Sequence, residues 1–265
     1  MFHIITWQTC QQREVALKLN GKVAIVTAAS SDRGSAIAEL LASEGAAVTI
    51  NYLKNKKNAE SILDRIESRG GMAMVMQADV TVKASVNKMV KDTIKKFGGI
   101  DILVNNAHGT IRRKTFEETI WNELTEAING TIKGAHNCCQ AVISEMQKRQ
   151  WGRIINIMDN IVNEPVKGYT SHITAQSALV GFTRSLAVEL GSFGITVNLI
   201  NAGFTLAKKT PHAPPRIQKA MAEQTPLKRL ALPIDIAKAV LFYATDLSDF
   251  VTGNCLSVNG GKTMR

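Results

Sequence analysis

His172 and Gln176 stand four residues apart in the stretch "YTSHITAQSALVGFTRSLAVEL". On a helix that spacing puts both side chains on one face. An imidazole is the side chain best suited to exchange protons near neutral pH. Asp159 ends the run "GRIINIMD", and a carboxylate set beside an imidazole orients the ring and selects its tautomer. Metal chemistry has no such support. The four cysteines, Cys10, Cys138, Cys139 and Cys255, show no zinc-ligand spacing, and neighbours such as Cys138 and Cys139 rarely bridge. Reduced thiols in a cytoplasmic protein are the expectation.

These residues need a frame. "KVAIVTAAS" is a β-branched apolar run bounded by small residues and predicts a buried strand. "SAIAELLASEGAAV" carries apolar residues at helical spacing, so a helix is expected to end near Gly45. Further strands are expected at "AAVTIN", "MAMVMQ", "DILVNN", "GRIINI", "ITVNLIN" and "NCLSVN", with helical patterns between them such as "NAESILDRIESRG", "SVNKMVKDTIKKFG" and "DIAKAVLFYATD". Alternation of this kind predicts an α/β fold, a doubly wound parallel sheet of Rossmann type, in one domain. Ligands in such folds sit beyond the carboxyl ends of the strands. The proline-bearing stretch "FTLAKKTPHAPPRIQKAMAEQ" reads as a long loop, either a lid or a surface excursion.

Composition sets outer bounds. The chain has 265 residues, 45% hydrophobic and 20% charged, which is ordinary for a globular protein. No apolar run is long enough to span a bilayer, and the N-terminus does not read as a secretory signal. The net charge of +10 is spread along the chain without interleaved aromatics. It argues against nucleic acid as a partner and leaves anionic small molecules open; no membrane partner is expected, for want of a bilayer-length apolar run.

"VTAASSDRGSAIAELL" resembles the first turn of the short-chain dehydrogenase/reductase family, written T-G-x-x-x-G-x-G. The three glycine places hold Ala28, Asp32 and Gly34. Asp79-Val80 resembles the family's adenine-contacting pair, and "LVNNA" its N-N-A-G turn, with His108 at the last place. "PLKRLALPIDIAKAVLFYATDLSDFVTGNCLSVNGG" resembles its C-terminal segment. The likeness runs over residues 20–261, nearest to the 3-oxoacyl-carrier-protein reductases. It implies a domain over 20–265 behind an N-terminal extension, 1–19, and assembly as a dimer or tetramer. The cofactor residues it implies are Ala28, Ser30, Arg33, Gly34, Asp79, Val80, Asn106 and Ala107. Asp32 would repel a pyrophosphate unless Arg33 or an ion offsets it. No acid follows the second strand, and Lys54, Lys56 and Lys57 suit a 2′-phosphate, so NADP(H) is the expected cofactor, with weak or absent binding as the alternative.

The resemblance also locates the chemistry. The family's catalytic tyrosine, lysine and serine places hold His172, Gln176 and Asp159. Thr131 falls at its asparagine place, with Asn129 as a competing alignment. His108, Tyr169 and Phe204 would line the substrate cleft. In the family geometry Asp159 and His172 converge. An anion where a carbonyl oxygen gains charge opposes reduction, so the leading expectation is acid–base chemistry on a small molecule without hydride transfer. Two others stand beside it. One is a catalytically silent subunit pairing with an active relative. The other is an NADP(H)-dependent oxidoreductase with His172 as proton donor.

Overall fold

The computed structural model describes residues 19–206 and 213–264. Trp7, Cys10 and the rest of the N-terminal extension before Leu19 lie outside the described residues, as does Pro211. Leu19 already belongs to the packed body: it is buried, and its amide donates to Glu44 O at 2.6 Å.

Among the described residues seven parallel strands form one sheet in the order β3-β2-β1-β4-β5-β6-β7. They are β1 Val23–Val26, β2 Ala47–Tyr52, β3 Met72–Gln77, β4 Ile102–Asn105, β5 Gly152–Asp159, β6 Ile195–Ala202 and β7 Cys255–Val258. The central strands are buried along their whole length, as expected of a sheet covered on both faces. Every strand expected from the sequence is present, and the doubly wound α/β fold is the one observed.

Two helical layers supply the cover. On one face, α1 (Asp32–Ser43) and α2 (Lys56–Glu67) bury Ile37, Leu41, Ile62 and Ile66 against the sheet. On the other, α3 (Lys83–Phe97) brings Val86, Met89 and Val90. Next along the chain, α4 (Trp121–Ile128) runs through a π-helical turn, Asn129–Lys133, into α5 (Gly134–Arg149). Cys138, Cys139, Val142 and Met146 of α5 pack under the sheet beside Leu190 of α6 (Thr170–Leu190). The thiols of Cys138 and Cys139 are fully enclosed there. Burial pushes both up, Cys139 to about 12.

The proline-bearing stretch departs from expectation. Residues 215–224 form a helix, α7 (Pro215–Gln224), instead of continuing a loop. Proline breaks a helix in its interior, but at the first helical position its missing N–H costs nothing and its fixed φ helps. The last helix, α8 (Pro233–Ala244), starts the same way and completes the first layer with Ile236 and Val240.

Strand order reverses at β1, which has β2 on one side and β4 on the other. At such a switch point the two flanking connections diverge and leave a crevice at the carboxyl edge. The β1–α1 turn, the segment after β4, the end of β5 and the head of α6 all meet there.

Candidate active site

The β1–α1 turn keeps its main-chain course although two of its glycine places are filled. Ala28 adopts a left-handed conformation, φ 47°, which L-residues enter at a cost of about 1–2 kcal/mol. A Cβ on Gly34 would meet Ala28 O at 2.5 Å and Ala29 Cα at 2.7 Å, so the first turn of α1 lies flush on the loop. Ser31 caps that helix, its Oγ accepting the Gly34 amide at 3.1 Å. Asn106, just after β4, ties the two strand ends together, since its Nδ2 donates to Thr27 O at 3.1 Å. Asn51 does the same from β2, accepting the Ala28 amide at 3.1 Å. Asp32 takes the first position of α1, where the helix N-terminus favours an acid.

On the far side of the crevice, Asp159 and His172 come together. His172 Nε2 lies 3.0 Å from Asp159 Oδ2. An ionised carboxylate only accepts, so Nε2 carries the proton of this bond and Nδ1 is the nitrogen left for exchange. Gln176 braces the end of β5, its Oε1 accepting the Asp159 main-chain N–H at 3.2 Å. Thr131 sits on the π-turn, buried, with its Oγ1 3.4 Å from the Gly109 amide, whereas Asn129 is exposed. The interior position of the two competing alignments is therefore Thr131. π-Turns within helices are frequent at functional sites.

His108, Tyr169 and Phe204 come from three separate segments. His108 stands after β4 with its ring 6.2 Å from that of His172 in an edge-on arrangement. Tyr169 precedes the first turn of α6, and the Arg113 guanidinium lies 5.9 Å from its ring centre. Phe204 follows β6, half-buried, its carbonyl accepting the Ala231 amide. Asp79 and Val80 lie beyond β3. One oxygen of Asp79 accepts both the amide and the hydroxyl of Thr81, at 2.9 and 2.7 Å, and Val80 packs against Gly134. Ser30 and Ala107 flank the crevice on the β1 and β4 sides, with the Ala107 amide donating to Thr27 Oγ1 at 3.0 Å.

Arg33 is the residue whose role sequence reasoning misjudged. It was read only as a residue of the cofactor turn that could offset Asp32, and its side chain reaches across the crevice. Nε donates to Asn106 Oδ1 at 2.7 Å and Nη1 to Asp159 Oδ1 at 3.0 Å. Both oxygens of Asp159 are thus engaged. Desolvation in the crevice would raise this carboxyl's pKa, but the hydrogen bond from His172 and the charge of Arg33 outweigh it and hold the group well below the usual carboxylate range. Two other features also went unread. Arg112 and Lys114 clamp the buried Glu123 at 3.2 and 2.6 Å beside His172, and the run "IRRK" was their signal in the sequence. Beneath the site, Asn160 Oδ1 accepts from Asn201, Asn259 and Thr263, anchoring the C-terminal segment under β5.

A family profile described as "Enoyl-(Acyl carrier protein) reductase" matches residues 28–263. The chain belongs to the short-chain dehydrogenase/reductase family. It is 35% identical over 243 residues to the 3-oxoacyl-(acyl-carrier-protein) reductase FabG of Staphylococcus epidermidis, covering 92% of this chain and 99% of that one. It is 38% identical over 250 residues to the (2S)-((R)-hydroxy(phenyl)methyl)succinyl-CoA dehydrogenase subunit BbsD of Thauera aromatica, covering 93% and 98%. Among solved structures, a 7α-hydroxysteroid dehydrogenase complexed with NADH and 7-oxo glycochenodeoxycholic acid superposes with a TM-score of 0.87 at 32% identity, over 93% of this chain and 96% of that one. A mutant of a Serratia marcescens short-chain dehydrogenase/reductase gives 0.85 at 30% identity, over 93% and 99%.

These relatives overturn the leading expectation of chemistry without hydride transfer, and with it the silent-subunit reading. Family relatives matched over nearly their entire length carry reductase and dehydrogenase names. The physical error is identifiable. Asp159 was weighed as an anion facing the substrate oxygen, whereas both its oxygens are taken, one by His172 and, in the free protein, the other by Arg33, each at 3.0 Å. Among the described residues no helix is long and apolar enough to cross a membrane.

Proposed function

We propose that this chain is an NADP(H)-dependent oxidoreductase acting on the oxygen-bearing carbon of an acyl thioester. The observation that carries the reading is the end-to-end match to relatives whose names agree on one chemistry, a reductase of 3-oxoacyl thioesters and a dehydrogenase of a hydroxylated acyl-CoA. The β1–α1 turn fits a dinucleotide: Ala28 is bent as glycine would be, and Gly34 leaves no room for a side chain between helix and loop. Ala28, Ser30, Arg33 and Gly34 would hold the phosphates, Asp79 and Val80 the adenine, and Asn106 and Ala107 the nicotinamide side. Lys54, Lys56 and Lys57, all exposed beyond β2, favour a 2′-phosphate.

The nicotinamide, when bound, supplies or accepts the hydride. The chain's own residues handle the proton. His172 passes it at Nδ1 to or from the substrate oxygen, and Asp159 keeps Nε2 protonated and steadies the imidazolium. Gln176 holds Asp159 in place through its backbone, and Thr131 orders the segment after β4. His108, Tyr169 and Phe204 wall the substrate. Assembly through α5 and α6 into a homo-oligomer, in a cytoplasmic setting that suits the enclosed thiols, completes the reading. A monomeric mass in solution would remove the assembly part.

The test is twofold. Calorimetric titration with NADPH and NADH should give micromolar NADPH binding and weaker NADH binding. NADPH oxidation should follow on adding acetoacetyl-CoA and longer 3-oxoacyl-CoA thioesters. Absence of binding by either dinucleotide into the millimolar range would overturn the proposal.

A further inference from the structure

Arg33 leaves the turn assigned to the dinucleotide and ends on the pair assigned to the proton. Its side chain is 15% exposed, against 28% for Asp159, and the two lie 126 residues apart in sequence. One guanidinium therefore links two parts of the site that have no other direct reason to communicate. We propose that Arg33 is a latch: in the free protein Asp159 holds it, and the anionic phosphates of a dinucleotide draw it away, leaving Asp159 to His172 alone. This rests on the dinucleotide reading above.

Two anions compete for one cation. Asp159 offers Arg33 a single oxygen, because its other oxygen is taken by His172 at 3.0 Å. A phosphate presents several oxygens to the planar guanidinium fork and is the stronger partner. The turn adds backbone N–H groups at the N-terminus of α1, so the phosphate site lies beside the base of the same arginine. Once Arg33 moves, the Asp159 charge is balanced by the imidazole only. The imidazolium form then gains stability, and His172 holds its proton more firmly. Loading the dinucleotide thus readies the proton carrier for reduction. Arg33 is in this sense a positioning residue, acting through Asp159.

The other charged groups facing His172 do not share this freedom. His108 approaches from the segment after β4. Arg112, Lys114, Glu123 and Glu126 ring the hollow on the outer side, and they pair among themselves at 2.6–3.2 Å. Of the groups on Asp159 and His172, Arg33 alone belongs to the dinucleotide turn.

The experiment compares NADPH affinity by calorimetry in the wild type, Asp159→Asn, Arg33→Gln and the double variant. It also follows the His172 ring through its pH titration by NMR, with and without NADPH. Release of the latch in Asp159→Asn should tighten NADPH binding about tenfold, an effect that vanishes when Arg33→Gln is added. In the wild type, saturating NADPH should move the His172 midpoint to higher pH, and in Arg33→Gln by no more than a third as much. A merely structural arginine would give an Asp159→Asn protein that binds NADPH equally or less well, and equal midpoint shifts in both proteins. Either result overturns the latch while leaving the dinucleotide reading intact. Failure of every protein to bind NADPH or NADH would instead remove the dinucleotide reading and the latch together.

Discussion

The β1–α1 turn and the head of α6 both differ from the pattern that the resemblance implies, and they differ in kind. The turn has Ala28 and Asp32 where the resemblance implies glycines, yet Ala28 takes φ 47° and Gly34 permits close packing. What that turn offers a ligand is main chain, and main chain can be preserved under different side chains. The head of α6 kept its backbone place, but His172 and Gln176 stand where the resemblance implies tyrosine and lysine. There the proposed chemistry rests on side chains, and His172 meets Asp159, which Arg33 holds in turn. Function held by backbone tolerates substitution. Function held by side chains must be recomposed.

The sharpest way to break this contrast is His172→Ala. Turnover of 3-oxoacyl thioesters should fall by about 10²–10⁴-fold, the range for a general acid–base group, while circular dichroism and NADPH affinity stay near wild type. Unchanged turnover would show that the Asp159–His172 pair is not the proton path. Gly34→Val strikes the other region. Its Cβ would meet backbone atoms at 2.5 and 2.7 Å, so a loss of about 1–3 kcal/mol of stability is expected, visible in urea unfolding, together with loss of NADPH binding.

Acid should probe the ion pair that joins the regions. The Asp159 carboxyl is held below the usual range in the folded protein, so the unfolded chain binds the extra proton first. The stability it contributes is fully present above about pH 4 and is lost as pH falls through the lower folded value. Unfolding of the wild type and Asp159→Asn should therefore differ by a steady amount above about pH 4 and converge in strong acid. A difference that stays constant into strong acid would contradict the assigned pairing. The smallest effect belongs to Ala28→Gly. Relief of the left-handed strain, partly offset by the freer unfolded chain, should stabilise by up to about 1 kcal/mol and leave NADPH affinity unchanged or better.

The frame was legible because burial imposes a pattern on sequence. Every strand followed from a short apolar run, and the helices between them from apolar spacing. The meeting of Asp159 and His172 followed from the resemblance. What could not be read was the reach of long polar side chains. Nothing in "SSDRGS" says that Arg33 spans the crevice, since its partner is fixed only when β1 and β5 are brought onto one edge. Gln176 escaped for the same reason: its acceptor role depends on the backbone of Asp159, not on any nearby residue in the chain. The helix over 215–224 was missed because prolines were counted as breakers without asking where in a turn they stood.

The enclosed thiols of α5 carry a consequence for kinetics. Cys138 and Cys139 are 1% and 2% exposed, and burial pushes both thiols up. A maleimide or iodoacetamide reagent therefore meets no reactive sulfur there until α5 parts from the sheet. The rate at which these two positions become alkylated is a clock for that parting. Read residue by residue with mass spectrometry, it measures how often the α5 layer breathes, and whether added dinucleotide slows it.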